Sequence, residues 1–187
     1  SFDMPTNSIF GTLENAGGSI HPESAKAMIN TMTANTDRRR LDQRAALVPR
    51  LLDVDSSTFD VLALDIFRYQ YSYNRIYRQF CDLIGRSPDN VTTLDRIPCL
   101  PIRLFKSQLI TTGEYEPEAI YESSTTTGQT PSRHAVASLN LYNAIAVRGF
   151  EHVFKRSIDK TRWLGLLPSY LERPNASLVS MVRHFVD

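Results

Sequence analysis

Apolar residues at Phe59, Leu62, Ile66, Tyr69, Tyr73, Ile76, Phe80 and Leu83 recur three and four apart, the spacing of one helix face. Ser57 with Asp60 forms a capping-box-like start and Gly85 a stop, so the pattern predicts one long amphipathic helix over 57–85. Tyr69, Tyr71, Tyr73 and Tyr77 fall within it and read as core residues with wet hydroxyl tips. Upstream, two shorter helices are predicted. One covers 23–33, with Pro22 in its first turn and Ala25, Met28 and Ile29 on one side; the other covers 41–52, interrupted at Pro49. Residues 1–19 are rich in Gly, Asn, Ser and Thr and show no sustained period, which reads as a loose arm.

Beyond Gly85 the pattern changes. Ser87, Pro88, Asp89 and Asn90 break the chain, and Pro98 and Pro101 bias their predecessors towards extended backbone. Short apolar runs at 109–112, 119–121, 134–137 and 162–167 predict strands, the last a buried parallel one. Ser138 is a plausible N-cap for a helix over 139–155, with Leu139, Tyr142, Ala146, Phe150 and Val153 on one face. After Pro174 the chain reads as the first turns of another amphipathic helix. The order strand, helix, strand predicts an α/β fold, a mixed or parallel sheet with flanking helices preceded by a helical N-terminal region. Ligands of such sheets sit in the crevice at strand ends, within reach of the loop at Ser123 and the turn at Pro168; Tyr170 in that turn serves either the cleft or packing.

The strongest chemical signal lies in the connection over 122–134, a run of Ser and Thr hydroxyls ending in Gly128 and followed by Arg133. A phosphate chain requires many hydrogen-bond donors at close approach, and short hydroxyls, exposed N–H groups and a nearby cation supply them. A solvated Ser/Thr-rich turn is the bland alternative, and the flanking strands argue against it.

Composition narrows the field. The 187 residues are 42% hydrophobic, ordinary for a globular protein. A formal charge of +1 gives no field to attract nucleic acid or an anionic membrane. No apolar run approaches the roughly 20 residues of a membrane span, and no signal-peptide pattern opens the chain, so a cytoplasmic location is expected. Cys81 and Cys99 read as small core residues, with a thioester role for Cys99 as the less favoured alternative. His21, His134, His152 and His184 share no metal-ligand spacing, so no metal site is expected from protein side chains. The run Arg38, Arg39 and Arg40 reads as a solvated face.

The loop from Tyr121 to Arg133 resembles the Ser-Ser-Gly-Thr-Thr-Gly phosphate-binding loop of acyl-adenylate-forming enzymes, and Ser132-Arg133 narrows the resemblance to their acyl-protein synthetase (LuxE-type) branch. Residues 95–107 are similar to that branch's IPFLPI-x-FFKS segment, 164–173 to its LLPSYLER segment, and the helix at 62–70 agrees as well. Four motifs in the family's order cover roughly 57–187 and are much harder to obtain by chance than one loop.

The resemblance implies the N-terminal part of an adenylate-forming enzyme's large domain over 57–187, with 1–56 outside it. It implies ATP-dependent activation of a carboxylic acid, a fatty acid in this branch, as acyl-adenylate, then transfer to a protein thiol. ATP and Mg²⁺ are the implied cofactors, with Ser123, Ser124, Thr125, Thr126, Thr127 and Gly128 in phosphate contact and Arg133 as charge partner. An ionised carboxylate is its own nucleophile and needs no general base, so no catalytic residue is assigned.

Two departures qualify the carry-over. Thr125 stands where the family loop has its first Gly, adding a Cβ where backbone approaches phosphate. The family enzyme is about twice as long, and its adenine-binding segment and acyl-accepting Cys are expected beyond Asp187, so this chain alone is expected not to complete acyl transfer. A non-catalytic binding or assembly module, with self-association through uncovered surface, is the alternative.

Overall fold

The computed structural model describes residues 21–123, 130–164 and 175–186. Two compact units divide at Arg39/Arg40. The N-terminal unit is described through helix α1 (Pro22–Leu52), which also runs into the second unit. The two predicted helices at 23–33 and 41–52 are therefore one. Residues 34–40 contain no Gly or Pro to stop it, and Thr31, Thr33 and Thr36 return their hydroxyls to carbonyls four residues back, so they do not break the helix. Pro49 lies in the last turn, where only the Ala45 carbonyl, four residues back, loses its bond and the helix is about to end.

In the second unit, α1 is followed by α2 (Phe59–Tyr73) and α3 (Arg75–Leu83), a pair where the period predicts one helix. The break is Asn74, at φ −102° and ψ 103°. Its N–H still closes α2 on the Gln70 carbonyl at 2.8 Å, while its side-chain oxygen caps α3 by accepting from the Tyr77 N–H at 3.0 Å. The spacing of apolar residues does not report this, because Asn74 lies off the stripe. The break also changes the buried face: α3 buries Tyr77 and Cys81 and leaves Leu83 84% exposed.

Helix α2 serves two cores. Its predicted stripe, Leu62, Ile66, Tyr69 and Tyr73, packs with Leu47 and Leu51 of α1. A second stripe, Leu64, Phe67 and Tyr71, packs with Tyr77, Cys81, Val91, Ile97 and Leu100. Phe67, 2% exposed, belongs to this second stripe and meets Tyr77 edge to face at 6.2 Å. The tyrosines behave as expected of core residues with polar tips: the Tyr77 hydroxyl donates to the Pro98 carbonyl at 2.7 Å and the Tyr71 hydroxyl to Asp82 at 2.7 Å.

The start of α2 also differs from expectation. Thr58 is the N-cap and makes no side-chain cap, so the Ser57/Asp60 box does not form. Asp55 organises the entry instead: one carboxylate oxygen accepts from the N–H groups of Ser57 and Thr58 at 2.9 and 3.0 Å and from both their hydroxyls.

After a 3₁₀ turn at Leu94–Arg96 and the one-turn helix α4 (Leu104–Ser107), the chain forms strands β1 (Ala119–Glu122) and β2 (Arg133–Val136), then α5 (Leu139–Phe154) and α6 (Ser177–Val186). The two strands described are consecutive in the chain and pair antiparallel, Ala119 opposite Val136 and Glu122 opposite Arg133, a helix-rich arrangement with a small sheet that is compatible with an α/β fold. The parallel arrangement is not observed. The connection from Ser123 to Ser132 is shorter than the dozen or more residues a parallel crossover requires, so a hairpin results. Residues 109–112, expected as a strand, are irregular, and the Thr112 carbonyl accepts from the Arg40 side chain, not from a neighbouring strand. Of the strand expected at 162–167, residues 162–164 are irregular and the rest lie outside the described residues. Ser138 caps α5 as expected, accepting from the Leu141 N–H at 3.3 Å. Phe150 of α5, Trp163 and Phe185 of α6 form a mutual ring cluster with centroids 4.9 to 5.7 Å apart, whereas Val153, placed on the buried face by the period, is exposed.

Two outcomes test these local devices. Asn74→Ala removes the α3 cap and should lower unfolding free energy by about 1 kcal/mol in urea titration, whereas Asn74→Asp, which keeps the acceptor, should lose less. Hydrogen bonds from Ser57 and Thr58 hold the Asp55 carboxyl down at about 2, so its contribution is present above the usual carboxylate range and is lost as pH falls through about 2. The thermal midpoint of Asp55→Asn should therefore lie below the parent at neutral pH and converge with it in strong acid.

Candidate functional site

The hairpin fixes both ends of the hydroxyl loop. Ser123 donates its N–H to the Ser132 carbonyl at 3.0 Å, and the Ser132 N–H and hydroxyl both reach the Ser123 hydroxyl oxygen at 3.0 Å. Arg133 emerges from this closure as the first residue of β2, opposite Glu122 and exposed. Ser123 and Arg133 are thus brought to one end of the hairpin, while Ser124, Thr125, Thr126, Thr127 and Gly128 lie outside the described residues. Behind the closure, the Glu122 N–H bonds the Asn175 carbonyl at 2.9 Å, and the Tyr121 and Ser180 hydroxyls meet at 2.6 Å, so α6 supports β1. The opposite end of the hairpin is tied to α5 by Glu118, whose carboxylate accepts the Leu139 N–H at 2.7 Å.

Alongside β2 opens a cleft of about 570 Å³. One wall is β2 with the first turns of α5, from His134 to Ser138 and then Leu141, Tyr142 and Ile145. Opposite are Arg40, Leu41 and Arg44 of α1 with Tyr69 and Gln70 of α2, and Asn74, Tyr77, Leu100, Phe105, Ile110, Thr112 and Tyr115 complete the lining. The surface is mainly apolar with a few polar groups, the character of a small-molecule site.

Sequence reasoning missed this cleft, and with it Arg40. Read as part of a solvated run, Arg40 is only 7% exposed. Its guanidinium donates to the Thr112 and Glu114 carbonyls at 3.5 and 3.3 Å and to the Tyr69 hydroxyl, bonds that compensate its burial. Gly113 lies directly over it at φ 79°, a conformation that favours glycine, and a Cβ there would collide with the guanidinium. The same loop is held to α2 by the Gly113 N–H on the Tyr73 carbonyl at 2.8 Å and by the Thr112 hydroxyl on Gln70 at 2.6 Å. A buried position one helical turn before Arg44, facing a Thr-Gly turn more than seventy residues away, leaves no local sequence signal.

The electrostatics of the cleft follow from burial. Desolvation raises the Tyr69 and Tyr115 hydroxyls above their ordinary value, against the opposing pull of Arg40 and Arg44, and burial raises Tyr142 as well. The phenols stay neutral near pH 7, so no phenolate offsets the two guanidinium charges. No group of three or more His, Cys, Asp or Glu side chains is placed to hold a metal among the described residues. Cys81 is buried as expected, whereas Cys99 is exposed; the neighbouring Pro98 carbonyl, not the thiol, is what the core tyrosine Tyr77 engages, its hydroxyl donating at 2.7 Å. No helix is long and apolar enough to cross a membrane among the described residues.

Residues 48–176 match the family described as acyl-protein synthetase, LuxE. The chain belongs to this family. A 68-residue stretch is 40% identical to a long-chain-fatty-acid–luciferin-component ligase of Photorhabdus luminescens, covering 36% of this chain and 58% of that relative. No solved structure matches the chain at comparable significance.

Gly113→Ala checks the Arg40 latch. Its positive φ and the displaced guanidinium should together lower stability by at least about 1 to 3 kcal/mol in denaturant titration, well above the few tenths expected of an exposed glycine.

Proposed function

We propose that this chain carries the phosphate-loop part of an ATP-dependent acyl-protein synthetase, within an adenylate-forming large domain of which the hairpin and its helices form one portion. The observation that carries the reading is the hairpin itself. In a chain of this family, the closure at Ser123 and Ser132 presents the Ser/Thr-rich connection and the exposed Arg133 at one end of two strands. The substrate is a long-chain carboxylic acid, a reading supported by the name of the Photorhabdus relative, and the acceptor is a protein thiol. A cytoplasmic location is consistent with two cysteines that form no disulfide.

The chemistry joins two anions. A carboxylate oxygen attacks the α-phosphorus of ATP, the bond to the bridging oxygen breaks, and pyrophosphate leaves; a thiol then displaces AMP from the acyl carbon and loses its proton. The chain's task in the first step is to hold the phosphates and neutralise charge developing on the leaving group. The donor set fits: Ser123 to Gly128 supply hydroxyls and N–H groups, and Arg133 supplies a fork of N–H donors. Mg²⁺, when bound beside phosphates held by Ser123 to Gly128 and Arg133, would supply positive charge to the leaving pyrophosphate.

Calorimetric titration with ATP and Mg²⁺ tests the reading. Arg133→Ala should weaken binding by about ten-fold, the scale of one charge-assisted contact. Thr125→Gly should strengthen it by about 1 kcal/mol by relieving the loop backbone. Equal affinity in the parent and both variants would remove this loop from the nucleotide site.

A further inference from the structure

We propose that the cleft between β2–α5 and α1–α2 binds the aliphatic carboxylate, with Arg44 as the residue that orients its carboxyl group. This rests on the acyl-activating reading above and adds to it a location and a specificity determinant that the hydroxyl loop does not contain.

Shape and charge select this occupant. Leu100, Phe105, Ile110, Leu141 and Ile145 give an apolar lining to a cleft of about 570 Å³, within the range of small-ligand sites and unsuited to a polyanion. The two cations of the lining differ. Arg40 already spends its donors on the Thr112 and Glu114 carbonyls. Arg44 is half-buried, acts on the neutral phenols of Tyr69 and Tyr115, and forms no ion pair among the described residues. A guanidinium with no opposing charge beside an apolar wall attracts a single anionic head attached to an apolar tail.

Position makes the cleft useful to the reaction. Tyr115, next to Arg44 electrostatically, lies against β2, its hydroxyl 3.5 Å from the Ala135 carbonyl. His134 of the lining follows Arg133, where the hydroxyl loop ends. Arg44 and β2 line the same cleft, so a carboxyl group held by Arg44 lies in the cleft bordered by the strand that follows the phosphate loop.

The test is calorimetric titration of the 187-residue chain, without nucleotide, with dodecanoate and with dodecan-1-ol below their aggregation limits. The parent should bind the acid about ten-fold more tightly than the alcohol. Arg44→Gln should abolish that preference while leaving alcohol affinity unchanged, Arg44→Lys should restore part of it, and Ile145→Trp, which fills the cleft from a 40% exposed position, should weaken both ligands. Folding of each variant is checked by its circular dichroism and thermal midpoint. Acid affinity unchanged in Arg44→Gln and Ile145→Trp, or no acid binding by the parent, would overturn the assignment and leave the cleft as a seat for another segment of protein. Because nucleotide is absent, the outcome is independent of the phosphate loop: acid binding that persists while ATP binding ignores Arg133 and Thr125 would count against the loop alone.

Discussion

A buried guanidinium holds the second unit together. Arg40 lies beneath Gly113 with its donors turned to the carbonyls on either side, and a charge so placed is tolerated only while those bonds are made. The requirement propagates. The loop must keep a left-handed residue at Gly113, and its remaining polar groups are taken by Gln70 and the Tyr73 carbonyl at the end of α2. There α2 gives way to α3 at Asn74, whose amide also reaches Gln70 at 3.3 Å. One polar layer thus joins α1, the α2–α3 break and the 112–114 loop, and the cleft opens above it.

The hairpin and the cleft divide the chemical labour of the proposed reaction. The closure at Ser123 and Ser132 is polar and exposed, suited to a solvated, highly charged ligand that arrives with its own counterion. The cleft is apolar with charge at its wall, suited to a ligand with one charge and a long tail. In the proposed reaction, their shared border on β2 would give the reacting oxygen and the phosphorus a common frame, the condition for converting an encounter into an oriented reaction.

Local signals were legible where the physics is local. Ser138 as an N-cap, the strands flanking the hydroxyl loop, and the apolar stripe on α2 each depend on residues a few positions apart, and each appears in the structure. The capping box at Ser57 failed because Asp55, two residues earlier, offered four donors a better acceptor. The long helix over 57–85 failed because an amide at Asn74 serves as cap as readily as surface, and only its partners decide which.

By itself, then, the sequence determined the cap at Ser138, the two strands that flank the hydroxyl loop, the apolar stripe on α2 and, through motifs in order, the family. Tertiary structure alone decided that the strands flanking the loop pair antiparallel, that Phe67 faces a second core, that Arg40 is buried while Cys99 is exposed, and that Arg44 overlooks an apolar cleft. The physical reason is range. Caps, periods and turn residues act through neighbours in the chain, whereas burial of a charge or the lining of a cleft is set by groups dozens of residues away, whose meeting no short window of sequence records.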